Sequence, residues 1–105
     1  MLDLGEPDRL RALVLDPDPK ALERFQNMLG AHWEVHRHAD LDGASTTLSL
    51  LSFKVVFERD RHHEMYRVIP MNADVRSIVG TDATEPMNLR ELRTLMRRVV
   101  SEDSS

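Results

Sequence analysis

The sequence predicts an α/β protein with an open parallel sheet and helices on both of its faces. Two short apolar segments, LRALVL at residues 10–15 and KVVFE at residues 54–58, lack regular polar alternation, which is typical of strands covered on both sides. An amphipathic segment follows the first of them almost at once. Strands that alternate with helices in this way form parallel sheets with helical crossovers.

Residues 16–30 predict the first helix. Asp18 suits a helix cap, and Pro19 suits the first helical position because its missing N–H would have no partner there. The apolar residues that follow share one helical face: Ala21, Leu22, Phe25, Met28 and Leu29. Gly30 predicts the end of this helix.

The next segments predict a second strand, a second helix and a third strand. Residues 33–38 alternate apolar and polar side chains, as an edge strand does. Asp42 and Gly43 predict the start of the second helix, whose inward-facing residues are Ala44, Thr47, Leu48 and Leu51. The third strand, at residues 54–58, ends in an acidic side chain.

Acidic side chains follow two of the predicted strands. Asp16 and Asp18 come directly after the first strand, and Glu58 ends the third. Because the carboxyl ends of parallel strands meet at one edge of the sheet, we expect these three carboxylates to converge. Carboxylates at such an edge commonly hold a cation or a phosphoryl group.

The C-terminal third predicts one clear helix. Asn88 and Glu91 have the spacing of a capping box, and an apolar stripe follows at Leu89, Leu92, Leu95, Met96 and Val99. Arginines lie mostly off this stripe, at Arg90, Arg93, Arg97 and Arg98. Residues 66–71 and 77–79 predict strands. We expect one domain at residues 10–100, a loose leader at 1–9 and a disordered tail at 101–105.

Composition restricts the classes of function. A chain of 105 residues with a net charge of −4 predicts one folded domain and gives no reason to expect nucleic-acid binding. The absence of cysteine excludes disulfides and thiolate zinc sites. We expect no metal at His36, His38, His62 or His63, because zinc needs three or four converging ligands. Since no apolar run has membrane-spanning length, we expect a cytoplasmic location without membrane contact.

Four segments together resemble the receiver domain of response regulators in two-component signalling. ALVLDPDPKALERFQNMLG is similar to its first strand, acidic turn and helix, and WEVHRHADLDGASTTLSLL to its second strand and helix. FKVVFE is similar to the third strand, and TEPMNLRELRTLMRRVV to the last turn and helix. The resemblance covers residues 10–58 and 84–100. It implies a flavodoxin-like (CheY-like) open parallel sheet with strand order 2-1-3-4-5.

The resemblance also implies a phosphoacceptor pocket, which this sequence keeps only in part. Receiver domains hold Mg²⁺ with an acidic pair after the first strand, and an aspartate at the end of the third strand takes the phosphoryl group. Asp16 keeps the first acid and Asp18 matches a further one, but Pro17 replaces the middle acid. Glu58 stands at the acceptor position, where its longer side chain misplaces the carboxylate for in-line attack.

Two further positions depart from the receiver pattern. Asn72 and Ala73 stand where a hydroxyl residue is expected, and Glu85 replaces the lysine that pairs with phosphate. Two unit charges at ~4 Å and an effective dielectric near 20 interact by about 4 kcal/mol, so reversing one sign is a large change. Magnesium also tolerates the loss of a carboxylate poorly. We therefore expect a degenerate pocket without catalysis, metal or cofactor.

The region between the third strand and the last helix is short for a receiver domain. About 27 positions separate Glu58 from Glu85, and one parallel crossover already needs a dozen residues. We expect the region from the third to the fourth helix to be shortened, with the fourth helix lost and a short third helix near residues 61–66.

These observations favour a pseudo-receiver that acts as a phosphorylation-independent protein-protein interaction module in signal transduction, and not as an enzyme. We expect a protein partner at Arg90, Arg93, Arg97 and Met87, and a homodimer if the shortened region leaves strand backbone or apolar side chains uncovered. Two alternatives stay open. One is a receiver that accepts the phosphoryl group on a displaced aspartate, Asp60; the other is the regulatory domain of a DNA-binding response regulator.

Overall fold

A computed structural model describes residues 10–61 and 64–104 and has α/β architecture. Its four-stranded mixed sheet has the order β2-β1-β3-β4. The strands are β1 (Leu10–Leu15), β2 (Trp33–His38), β3 (Val55–Arg59) and β4 (Tyr66–Pro70). The helices of the described residues are α1 (Lys20–Leu29), α2 (Leu41–Leu50), α3 (Ala73–Val79) and α4 (Leu89–Ser104).

The first half of the chain forms the predicted βαβαβ unit. β1 lies in the middle and pairs in parallel with β2 and with β3. The bounds of β1 and β2 agree with the sequence prediction, and α1 ends at Gly30 as expected. The strand order 2-1-3-4 also agrees with the first four positions of the predicted order.

The prediction of an all-parallel sheet is wrong at β4. β4 pairs antiparallel with β3, and the Asp60 N–H donates to the Met65 carbonyl at 2.8 Å to close a hairpin between them. The predicted helix near residues 61–66 is therefore also wrong, since Tyr66 already begins β4. Six residues between the two strands are too few for a parallel crossover, so the chain turns back directly.

The helix that remains in the shortened region follows β4. Residues 77–79, which predicted a strand, belong to α3, and the Asn72 side chain caps this helix by accepting from the Val75 N–H at 3.0 Å. No fifth strand forms within residues 64–104. An isolated antiparallel bridge between Tyr66 and Met87 stands at the outer edge of β4 instead.

Side chains on the two faces of the sheet form separate cores. The larger core joins β1, β3 and β4 to α1, α3 and α4, and Phe25 lies against both Phe57 and Tyr66 with ring centroids 4.9 and 4.8 Å apart. The smaller core lies under α2 and contains Leu13, Leu15, Ala44, Phe53 and Val56. The α1 and α4 stripes predicted from the sequence supply most of the helical residues of the larger core.

Local capping signals place the helix starts. The Asn88 and Glu91 side chains accept from each other's backbone N–H groups at 2.9 and 3.0 Å, which confirms the capping box. α2 begins earlier than predicted, because Asp40 is its cap and accepts from the Gly43 N–H at 2.8 Å.

The last helix is longer than the sequence predicted. α4 continues to Ser104, past residue 100 where we expected it to end, and the predicted leader at 1–9 lies outside the described residues. None of the helices in residues 10–61 and 64–104 has the length and apolar content to cross a membrane.

Gly30 is predicted to be required for the turn after α1. Its φ of 89° and ψ of −178° lie in a region that is essentially restricted to glycine, although no atom within 4 Å would contact an added Cβ. Gly30→Ala should therefore lower the free energy of unfolding by about 1–3 kcal/mol through backbone strain alone.

Gly43 provides the matched control in chemical denaturation. It is helical, with the nearest side-chain atom, Asp40 Oδ1, at 3.4 Å from an added Cβ, so Gly43→Ala should leave stability unchanged or raise it by about 0.5–1 kcal/mol. Equal losses for the two variants would contradict the assignment of strain to Gly30.

Candidate functional site

The Asp16 carboxylate is the central group at the carboxyl end of β1. Asp16 is completely buried. Its Oδ1 accepts from the Asp18 backbone N–H at 2.9 Å and from Arg59 Nη1 at 3.3 Å, and its Oδ2 accepts from the Tyr66 hydroxyl. The protein itself thus supplies three donors to the carboxylate that we expected to serve an ion or a phosphoryl group.

Strand alternation explains why these groups meet. Val14 and Phe57 face the larger core, so the next residues on the same side of the two strands are Asp16 and Arg59. The β3–β4 hairpin pairs Arg59 with Tyr66. The Arg59 cation compensates a buried carboxylate, whose isolation in the protein interior would be strongly unfavourable.

Tyr66 is held as a hydrogen-bond donor. It is almost fully buried, and its ring packs edge-on against Phe25. Burial, together with the neighbouring Asp16 carboxylate, raises the pKa of Tyr66 well above its ordinary value. The phenol therefore stays protonated at neutral pH and keeps donating to Asp16.

Glu58 does not meet Asp16, so the predicted convergence of the strand-end acids is wrong. Glu58 is exposed and, by alternation with Val56, faces the α2 side of the sheet. There it lines a cleft of about 380 Å³ together with Leu15 and Leu41. The residue of β3 that faces Asp16 is Arg59, one position later, which places a cation where a receiver site needs an acid.

Asp18 and Pro17 belong to the turn that starts α1. The Asp18 carboxylate accepts from the Lys20 N–H at 3.0 Å and pairs with Arg24 at 2.8 Å. The Lys20 N–H and the Arg24 guanidinium lower the pKa of Asp18. The side chain therefore stabilises the helix start, and Pro17 is exposed beside it.

Asn72 and Glu85 lie apart from Asp16. Because β4 is antiparallel, its end carries Asn72 to the opposite edge of the sheet, where the neighbouring Met71 N–H donates to the Lys54 carbonyl at 3.0 Å. Glu85 is exposed in the segment beside β4. The resemblance groups six positions into one pocket. In the structure these positions are distributed over both faces of the sheet and over both ends of its strands.

Asp60 also lies on the side of Glu58. It lines the same cleft on the α2 side, and its Oδ1 is 3.7 Å from Arg67 Nη2. The Asp16 carboxylate contacts Tyr66 on the side of the larger core, so Asp16 and Asp60 lie on different faces of the sheet.

The described histidines do not form a metal site. Within residues 10–61 and 64–104, no group of three or more His, Asp or Glu side chains has a metal-binding arrangement. His36 instead lies 2.6 Å from Glu34, which also pairs with Arg11 at 2.9 Å. His62 and His63 lie outside the described residues.

A groove between α1 and α4, which we call the α1–α4 groove, is the second candidate site. It has two parts of about 380 and 310 Å³ that share Met28 and Arg93. Its remaining apolar lining residues are Leu29, Trp33, Leu89, Met96 and Val100. Its polar lining residues are Arg24, Asn27, His32, Arg90 and Arg97.

Three of the four partner-binding residues predicted from the sequence line this groove. Arg90, Arg93 and Arg97 recur at i, i+3 and i+7 along α4, a spacing that puts them on one helical face. Met87 does not belong to the groove lining: it packs against the larger core, and its backbone pairs with Tyr66.

The charge of the α1–α4 groove is opposite to that of the whole chain. The chain has a net charge of −4, yet no carboxylate lines either part of the groove. Arg24 pairs with Asp18, whereas Arg90, Arg93 and Arg97 are exposed and form no ion pair within the part of the chain that the structure describes. Sequence reasoning found the arginines and the apolar face of α1 that carries Met28 and Leu29, but it did not predict that they form one groove with Trp33.

No protein-family model, curated protein or solved structure matches the chain.

Raising the pH is predicted to reduce stability through Tyr66. Unfolding returns the phenol to its ordinary pKa of about 10, whereas in the folded state the pKa is higher, so the folded state retains a proton that the unfolded state loses. The free energy of unfolding should therefore fall as the pH rises above about 10.

This alkaline loss can be measured directly, because Tyr66 is the only tyrosine. Tyrosinate absorbance and denaturant unfolding should be followed together across the alkaline range. Tyr66→Phe should show a flatter dependence of stability on pH. Appearance of tyrosinate near pH 10 in the folded protein would refute the raised pKa.

The Asp16–Tyr66 hydrogen bond is predicted to contribute strongly to stability. Tyr66→Phe removes a donor from a buried carboxylate and should lower the free energy of unfolding by about 1.5–3 kcal/mol. Combined with Asp16→Asn in a double-mutant cycle, the coupling energy should be about 0.5–3 kcal/mol.

Asp40, which caps α2, supplies the control for this cycle. Asp40→Asn with Tyr66→Phe should give additive changes in the free energy of unfolding, because the two residues share no contact partner. Additivity in the Asp16–Tyr66 cycle itself would show that the contact does not stabilise the fold.

Proposed function

We propose that this chain is a phosphorylation-independent interaction module with a flavodoxin-like, receiver-derived frame, which binds a protein partner through the α1–α4 groove. The observation that carries the proposal is the combination of exposed arginines, namely Arg90, Arg93 and Arg97, with apolar side chains in that groove. A role in cytoplasmic signal transduction is part of the proposal and rests on the resemblance to receiver domains.

The groove has the composition of a protein-binding surface. Arginine, methionine and aromatic residues are enriched at the centres of protein interfaces, and Arg93, Met28 and Trp33 provide all three. Met28 is unbranched, flexible and half-buried, so this part of the surface can adapt to the shape of a partner. The exposed arginines favour a partner with acidic residues, since opposite charges steer association and limit wrong partners.

The surroundings of Asp16 support independence from phosphorylation. Binding Mg²⁺ at Asp16 competes with Arg59 and with the Tyr66 hydroxyl for the carboxylate oxygens, and it brings a divalent cation close to the like-charged Arg59 guanidinium. Glu58 faces the other side of the sheet and cannot share an ion with Asp16. The module therefore has one signalling state, and its regulation comes from the partner.

A chemical phosphodonor tests this proposal. Incubation with acetyl phosphate and Mg²⁺ should leave the intact mass unchanged, because Arg59 and Tyr66 already occupy the Asp16 carboxylate and Glu58 faces the other side of the sheet. A functional receiver domain in the same reaction is the control. A stable acyl-phosphate adduct would overturn the proposal, and its loss in Asp60→Asn would identify Asp60 as a displaced acceptor.

A further inference from the structure

The indole N–H of Trp33 is a buried donor without an acceptor. Trp33 begins β2 and is 6% exposed, and its Nε1 has no hydrogen-bond partner within the described residues. Leaving such a donor unpaired is costly, and buried polar groups of folded proteins normally find a partner. The side chain that carries this donor lines the α1–α4 groove.

The groups that line the same part of the groove as Trp33 favour a negatively charged acceptor. Arg93 and Arg97 line the same part of the groove as Trp33, and His32 lies beside it. The floor is apolar, with Met28, Leu29, Met96 and Val100. A carboxylate attached to an apolar segment satisfies all of these groups at once: it accepts from the indole, neutralises an arginine and covers the floor.

The spacing of the arginines indicates the shape of the ligand. Arg90 and Arg97 lie seven residues apart on α4, which corresponds to about 10 Å along the helix axis. A second helix with acidic residues at the same spacing presents its carboxylates over the same distance, beside its own apolar stripe.

We propose, resting on the function proposed above, that the partner docks as an acidic amphipathic helix, one carboxylate of which accepts the indole N–H of Trp33. Because Nε1 is buried in the free chain, the acceptor reaches it when flexible side chains of the groove, such as Met28 and Met96, change rotamer. Trp33 thereby becomes the central contact, and the arginines set the orientation of the helix.

The single tryptophan makes this contact directly observable. The full ¹⁵N-labelled chain gives one indole N–H signal, and it should be titrated with a helical peptide that carries glutamates every three or four residues beside a leucine stripe. We expect saturable binding and a downfield shift of the indole proton. The same peptide with glutamine in place of glutamate should bind at least about tenfold more weakly.

Variants separate the roles of the donor and the cations. Trp33→Phe keeps an aromatic ring without the N–H and should weaken binding about tenfold to a hundredfold. Arg97→Glu should weaken binding similarly or more, whereas Arg98→Glu, the same change on an α4 residue outside the groove lining, should have little effect. Circular dichroism verifies that each variant is folded. If a variant does not fold, the indole shift of the unmodified chain still tests the contact.

The remaining outcomes distinguish a failure of this inference from a failure of the proposed function. Binding that needs Arg97 but leaves the indole signal unmoved would refute the Trp33 contact while leaving the interaction module standing. Failure of the peptide to bind would refute an acidic helix as the ligand. Decanoate, a single carboxylate on an apolar chain, is a second probe, and binding of decanoate but not of the peptide would refute it as well. By contrast, an acyl-phosphate adduct in a chain that still binds the peptide would refute the proposed function and leave this contact intact.

Discussion

The buried Asp16 carboxylate is the constraint on which the arrangement of the sheet depends. A charge in the interior must be compensated, and its partners come from two other strands: Arg59 at the end of β3 and Tyr66 at the start of β4. The pairing of β3 with β1 already places Arg59 beside Asp16, whereas Tyr66 reaches Asp16 only when the chain turns back immediately after β3. The hairpin and the carboxylate therefore require each other, and a helix inserted between these strands would separate the two donors.

The direction of β4 then determines where Asn72 and α3 lie. An antiparallel β4 delivers Asn72 to the edge of the sheet opposite Asp16, where it caps α3. α3 contributes Val75 to the larger core, so it packs on the same side of the sheet as α1 and α4. The side chains of a receiver-like pocket are consequently dispersed, while the α1–α4 side gains a continuous core that supports the groove.

The sequence predicted the elements that depend on local signals. β1, β2, α1 and the Asn88 cap follow from apolar periodicity, Gly30 and reciprocal capping, which act within a few residues. The direction of β4 depends on a tertiary pairing that no local pattern encodes, and the apolar residues at 77–79 fit a strand or a short helix equally well. The role of Arg59 was accessible: counting alternate residues from Phe57 puts it on the side of Asp16. The groove was found only in part, because Trp33 joins the α4 side chains Arg93 and Met96 only in the folded chain, through contacts distant in sequence.

The bridge between Tyr66 and Met87 has a consequence for how the sheet meets other chains. The segment that carries Met87 lies along the outer side of β4, and its Thr84 N–H donates to Val68 at 3.0 Å, so this border already has backbone partners. At the other border, β2 carries Glu34 and two histidines on one face of the sheet and Arg37 on the other. Charged borders resist pairing with a neighbouring ribbon. Among the described residues, both borders of the sheet are thus poor templates for pairing with a strand of another chain.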